Sequence, residues 1–360
     1  MKKVTVVFLT LFSLTLFGQT KTEEEAPLNG EPNVYVVGFE SNAQGKSVAK
    51  LWKNGVAQNL TDGTCNASAY SVYVSDSDVY VTGYECGIIK LWKNGIAQNL
   101  TDKSYYNTTV SSVYVSDSDV YVVGSERTID GIYVVRLWKN GVAQDITDGT
   151  CDAVANSAYV SGNDVYVIGY DVDIARFWKN GIAQDIIDVT FNAKFSSIYI
   201  SGKDVYIAGH EYNAQGKMIA KLWKNGVAQN LSDGHKFATA ESIYLSEEKI
   251  YIAGYEFDED TYIAKFWETE NGVLKQSHNL TDRTRIASAY SVFVLYNDVY
   301  VVGYESDKEV EKIVNTDEDD ENYGSYYFKY KAVAKLWKNG IPQNLTDGSF
   351  GAMAFCVFVK

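Results

Sequence analysis

"KLWKNGVAQNLTDG" fills residues 50–63, and "KLWKNGVAQNLSDG" fills residues 221–234. The Asn-Gly pair in "WKNG" favours the left-handed angles of a type I′ turn, so the stretch reads as a β-hairpin. It recurs along the whole chain. Trp52, Trp92, Trp138, Trp178, Trp223, Trp267 and Trp337 mark one copy each, and no other Trp exists. A second marker agrees: Tyr35, Tyr80, Tyr121, Tyr166, Tyr206, Tyr251 and Tyr300 each follow a Val or Ile in a "DVYVVGYE"-like stretch. Both markers count seven, at a period of about 45 residues.

One copy holds four strand-like pieces. From Ala67 these are "ASAYSVYVS" (67–75), "VYVTGYE" (79–85), "IIKLW" (88–92) and "IAQNLTD" (96–102), separated by polar turns. The sixth copy replaces "WKNG" by the longer "WETENG" (267–272). Four antiparallel strands repeated seven times predict an all-β, seven-bladed β-propeller. Each blade stacks both faces on neighbours, which explains apolar residues on both sides of the strands. The Trp column is expected to wedge between blades, with sugar-stacking platforms as the alternative.

The ends supply a check. The repeat region starts with a second-strand sequence, "NVYVVGFE" (33–40), and stops at a first-strand sequence, "AFCVFVK" (354–360). The C-terminal strand should therefore complete the N-terminal blade, closing the ring and removing open sheet edges.

Composition supports a strand-rich globular chain: 360 residues, 46% hydrophobic, 28 Gly and 28 Tyr against 3 Pro. The net charge of −14 argues against nucleic acid and against anionic membrane surfaces, both of which need clustered Lys and Arg. At the N-terminus, Lys2 and Lys3 precede an uncharged apolar run from Val4 to Phe17. That run is short for a spanning helix, which needs roughly 20 apolar residues. It has the proportions of a secretory signal peptide, residues 1–19, with an uncleaved anchor as the alternative, followed by a polar lead-in, 20–32, and the propeller, 33–360. The expectation is a secreted or periplasmic protein with no membrane insertion after signal removal.

The unit "VYVVGYE…AKLWKNG.AQNLTDG…SVYVS" resembles that of bacterial secreted β-propellers whose blades are nearly identical, as if amplified from one copy. The resemblance covers residues 33–360 and implies the fold; propellers host many unrelated activities. The Trp-Asp mark, the paired glycines and the Asp-box of three familiar propeller classes are missing from the sequence, and Gly-His, at 209–210 and 234–235, does not recur as a blade mark. No catalytic residue carries over.

Three columns hold charge. Glu40, Glu85, Glu126, Asp171, Glu211, Glu256 and Glu305 end the second strands, and Lys50, Lys90, Arg136, Arg176, Lys221, Lys265 and Lys335 begin the third. Hairpin pairing sets them opposite or diagonal, as a structural ring of ion pairs or, alternatively, a cation-binding ring of acids. Asp62, Asp102, Asp148, Asp188, Asp233, Asp282 and Asp347 close the fourth strands and read as turn caps.

A position common to all blades points to architecture, so function is sought where copies differ. The second-to-third connections vary most and share a face with the blade-to-blade connections. The largest departure is "ESDKEVEKIVNTDEDDENYGSYYFKYKAVAKLW" (305–337), whose alternation predicts a projecting hairpin. Its tip carries Asp317, Asp319 and Glu321, and its flank Tyr323, Tyr326, Tyr327 and Tyr330. These are the candidate binding residues for a protein or glycan, with a solvated acidic loop as the alternative reading. Calcium is a further reading of the acids, although the glycine and distal Glu of an EF-hand are missing.

His210 and His235 are expected near the variable face of one blade, while His278 looks incidental. No zinc spacing, phosphate loop or nucleophile–His–acid set stands out, so no metal, cofactor or catalytic residue is assigned. Antiparallel pairing places Cys65 beside Cys86 and makes a disulfide plausible, whereas Cys356, in a Ser column, reads as a buried thiol. The expected function is a monomeric, exported binding or scaffold module for a protein or extracellular glycan. A hydrolase or lyase at the mouth of the central channel, or a purely structural surface protein, are the rivals.

Overall fold

The computed structural model describes residues 30–102, 109–172, 174–184, 193–270, 272–307, 311–314, 326–329 and 331–360, with 311–314 and 326–329 described by backbone alone. The expected signal peptide lies outside these residues, as does most of the lead-in.

Among the described residues of Asn33–Lys360 the strands form seven four-stranded antiparallel sheets, six of them meanders in sequence order and the first completed by the C-terminal strand. The second blade shows the pattern: Ala67–Ser75 innermost, then Asp78–Glu85, Ile88–Lys93 and Ile96–Asn99. Asn54, Asn94, Asn140, Asn180, Asn225 and Asn339 take positive φ at the Asn-Gly turns, as the hairpin reading requires. In the sixth blade the longer connection lets the third strand run on to Glu270, with a bulge in its pairing to Val273–Asn279.

Ring closure occurs as expected. Ala352–Val359 pairs with Val34–Ser41 and becomes the innermost strand of the first blade. Asn33 and Lys360 then exchange two backbone hydrogen bonds, of 2.7 and 2.9 Å.

Seven apolar clusters lie one at each blade interface, and each receives a Trp from the following blade. Trp52, Trp92, Trp138, Trp267 and Trp337 are fully buried. The wedge reading of the Trp column therefore holds. Around the channel, Ser hydroxyls add a polar clasp: Ser71, Ser112, Ser197, Ser242 and Ser291 each accept from a backbone N–H of the next blade at 3.1–3.3 Å. Cys356 occupies this column in the closing strand, and burial pushes its thiol up.

The acid and base columns pair in every blade, on the diagonal. Gly38 faces Lys50 while Glu40 faces Val48, yet Lys50 Nζ reaches Glu40 at 2.7 Å. Lys90–Glu85, Lys265–Glu256 and Lys335–Glu305 follow at 2.5–3.0 Å, with Arg176–Asp171 at 3.5 Å. Arg136–Glu126 and Lys221–Glu211 complete the ring. The Asp caps also form: Asp62, Asp148, Asp233, Asp282 and Asp347 each accept from the backbone N–H two residues on. Asp188 lies outside the described residues.

Candidate functional site

The innermost strands change parity partway along. In the second blade Ala67 and Ala69 face the core, then Val72 and Val74 do. Between them Ala69 pairs with Gly83 and Ser71 with Thr82, which leaves Tyr70 as an extra residue in a β-bulge. The same shift recurs in all seven blades. The Gly of each "GYE" stretch makes room for it. A Cβ on Gly83 would stand 2.0 Å from the Ser68 carbonyl oxygen, and 1.9 Å separates the corresponding atoms at Gly38, Gly169 and Gly303.

Each bulge turns one side chain towards the axis. The seven are Tyr70, Ser111, Asn156, Ser196, Glu241, Tyr290 and Phe355, and all line a central cavity of about 790 Å³. Three residues further along the strands, Tyr73, Tyr114, Tyr159, Tyr199, Tyr244, Phe293 and Phe358 form a closed collar, each ring 4.5–5.6 Å from the next by centroid. Burial raises the hydroxyls of Tyr73, Tyr114, Tyr159 and Tyr199, so these four are uncharged at neutral pH. Innermost strands begin at the face that carries the variable connections. The bulge residues therefore lie between that face and the collar.

The bulge ring has two unlike arcs. Tyr290, Phe355 and Tyr70 are consecutive, with centroids 5.6 and 5.2 Å apart. Behind them stand Tyr304, Phe39 and Tyr84, at 5.9, 5.9 and 6.0 Å from their respective partners. Burial pushes the Tyr70 hydroxyl up to about 12 and raises that of Tyr290 as well.

The opposite arc is polar. Ser111 donates to the Val123 carbonyl at 3.1 Å, and Asn156 Nδ2 to the Phe195 carbonyl at 2.7 Å. Thr239 Oγ1 donates to Glu241 Oε1 at 3.1 Å and lies 3.1 Å from His210 Nδ1. With its one proton on Glu241, the Thr239 oxygen accepts from Nδ1–H. Nε2 is then an acceptor, buried and without a hydrogen-bond partner among the described residues. Burial, assisted by the charge of Lys194, pushes His210 down to about 4, so it is neutral at neutral pH. Glu241 is deeply enclosed, yet part of it faces the cavity. Burial raises its carboxyl, against the hydrogen bonds from Thr239 and Ser196.

The sequence reading did not single out this ring. Its signal was present: in seven otherwise repetitive strands, one column reads Tyr, Ser, Asn, Ser, Glu, Tyr, Phe. The expected site lies elsewhere. Glu311–Val314 and Tyr326–Lys329 pair as the predicted hairpin, and Tyr326 and Tyr327 sit on its second strand. Asp317, Asp319, Glu321, Tyr323 and Tyr330 lie outside the described residues.

Of the histidines, His210 turns into the cavity. His235 donates its backbone N–H to Asp233 in a turn, and His278 stacks on Phe266. The Cys65–Cys86 disulfide is present, with Cα atoms 5.5 Å apart. Cys151, in the Cys65 position, contacts Asp171 at 2.9 Å, and that carboxylate raises its thiol. Among the described residues no group of three or more His, Cys, Asp or Glu is placed to hold a metal, and no helix is long and apolar enough to cross a membrane.

No family model matches the chain, and no curated protein matches its sequence. Solved structures do. An acylaminoacyl peptidase from Pyrococcus horikoshii is similar over 89% of this chain at 12% identity and a TM-score of 0.52. This chain spans about half, 52%, of that peptidase. The β-propeller domain of the Trilobed protease from Pyrococcus furiosus, described as having an open velcro topology, is similar over 89% of this chain and 95% of its own, at 9% identity and a TM-score of 0.51. At these identities the likeness shows the propeller fold and nothing finer.

Proposed function

We propose that the protein is an exported binding module whose recognition site is the central channel, entered from the variable-loop face. Its partner is a protein segment or the end of an extracellular glycan. One observation carries this reading: the seven bulge positions are structurally equivalent and chemically unlike, on strands that otherwise repeat. A scaffold needs no such difference. A ligand held once, in one orientation, does. An apolar arc facing a hydrogen-bonding arc suits an amphipathic ligand. Among the described residues that line the cavity, Glu241 is the single carboxyl. Glycoside hydrolysis ordinarily uses a pair, so this site favours holding a ligand over cleaving it.

The chain supplies its own control substitutions. Tyr70→Ser, Phe355→Ser and Tyr290→Ser place at those bulges the residue that Ser111 and Ser196 already provide. The test is capture of purified envelope glycans and extracellular proteins by three forms: the mature protein, this triple variant, and a variant with residues 307–331 replaced by the short loop of the second blade. Capture lost only in the triple variant supports the channel. Capture lost only in the loop variant moves recognition to the seventh-blade hairpin and refutes the channel reading, as does capture that neither change affects.

A further inference from the structure

Resting on that channel reading, we propose that the bound group is an organic ammonium cation, held by Glu241 and walled by Tyr290, Phe355 and Tyr70.

Glu241 is the starting point. It is the one acid among seven equivalent bulge residues, and it lies on the ring directly beside Tyr290. Its two hydrogen-bonding neighbours, Thr239 and Ser196, are neutral. No described Lys or Arg pairs with it, whereas the seven acids that end the second strands all have such a partner. An enclosed carboxylate without a counter-ion is unfavourable, and a cationic ligand removes that penalty by becoming the counter-ion.

The neighbouring surface has the matching chemistry. Faces of Tyr and Phe attract ammonium groups through the ring quadrupole, and groups of such faces are a known means of holding methylated ammonium. Here three rings stand side by side around the axis, with Phe355 5.2 Å from Tyr70 and 5.6 Å from Tyr290 by centroid, and a further ring lies behind each. An anionic ligand would meet both the acid and the negative ring faces. The one Lys or Arg that lines the cavity among the described residues, Lys194, is exposed and pairs with His210 near the start of its strand.

The groups facing Glu241 determine how binding responds to pH. Tyr290 approaches from the seventh blade and Tyr255 from the second strand of the sixth, and burial raises both hydroxyls. His210 reaches it through Thr239 from the fifth blade, with Lys194 beside that histidine. These tyrosines and His210 stay neutral through the mildly acidic and neutral range. Glu241 is then the group whose charge changes, and its carboxyl titrates above the ordinary range because it is buried. Affinity for a permanent cation should rise with pH through that range and level off once Glu241 is ionised.

The experiment is calorimetric titration of the mature protein with choline and tetramethylammonium, which do not titrate, and with 3,3-dimethylbutan-1-ol, the uncharged counterpart of choline. The expected result is binding of the cations at least tenfold tighter than the alcohol, and at least tenfold loss in Glu241→Gln. Glu241→Ser, the residue of two other blades, checks that loss is not misfolding, with the circular dichroism of each variant compared. Further arms with a glucosamine oligomer and a free-amine peptide distinguish an amino sugar from a peptide amine as the natural source. Equal affinity for cation and alcohol, or unchanged affinity in Glu241→Gln, overturns the proposal. So does absence of binding at millimolar cation. If envelope capture is lost in the Tyr70, Phe355 and Tyr290 variant but kept in Glu241→Gln, the channel reading stands and the ammonium proposal falls.

Discussion

A single glycine per blade governs the geometry of the channel. At Gly83 the neighbouring strand folds its Ser68 carbonyl into the space a side chain would use, and this lets Tyr70 bulge out of the ladder. Gly83→Ala should therefore destabilise the fold by about 3 kcal/mol, at the upper end of ordinary overpacking, measured by urea denaturation. The bulge also explains what sequence reading overlooked. Buried positions run Ala67, Ala69 and then Val72, Val74, so the alternation slips by one at Tyr70. A strand judged by its β-branched and aromatic content looks continuous across that slip, and the inserted residue is read as part of the ladder. The Trp column was legible because packing in every interface demands the same residue. The bulge column was not, because no packing requirement repeats there and nothing local marks the parity change as a site. Glu241 and His210 acquire their properties from neighbours in adjacent blades, a relation fixed only by the closed ring.

At the scale of the elements, the "WKNG" hairpins, diagonal ion pairs and Asp caps follow from short-range chemistry and were readable as such. The variable connections carry fewer of these repeated devices, and there a covalent tie appears. Cys65 and Cys86 join the start of one strand to the end of its partner in the second blade, 21 residues apart. Closing a loop of that length restricts the unfolded chain, for a gain of about 3 kcal/mol. Cys65→Ser with Cys86→Ser should lower the midpoint of guanidinium denaturation accordingly, and a reducing agent should do the same to the unaltered protein while leaving the double variant unchanged. The equivalent pair in the fourth blade is Cys151 and Val172, so that blade holds its corner without a crosslink.

For the whole molecule, ring closure means that no blade is terminal. The two ends of the repeat region meet in the first blade, where Asn33 and Lys360 are bonded backbone to backbone. A permuted form of residues 33–360 that joins Lys360 to Asn33 through a two-residue turn and opens at the exposed Asp76–Ser77 turn should fold with a thermal midpoint within a few degrees of the unpermuted form. Deleting residues 352–360 should instead abolish cooperative melting. It would expose the inner edge of Val34–Ser41 and remove one of the seven bulges and one ring of the collar.

The same closure has a mechanical side. Because the joining strands run antiparallel with Asn33 beside Lys360, a pull on the two ends loads their hydrogen bonds one after another, from the end inward. Bonds loaded in sequence yield at lower tension than bonds loaded together. A chain tethered at one end and drawn at the other would thus open like a zip at the first blade, with the remaining six released afterwards in turn. Tension spread across the rim would load whole sheets at once and meet far greater resistance.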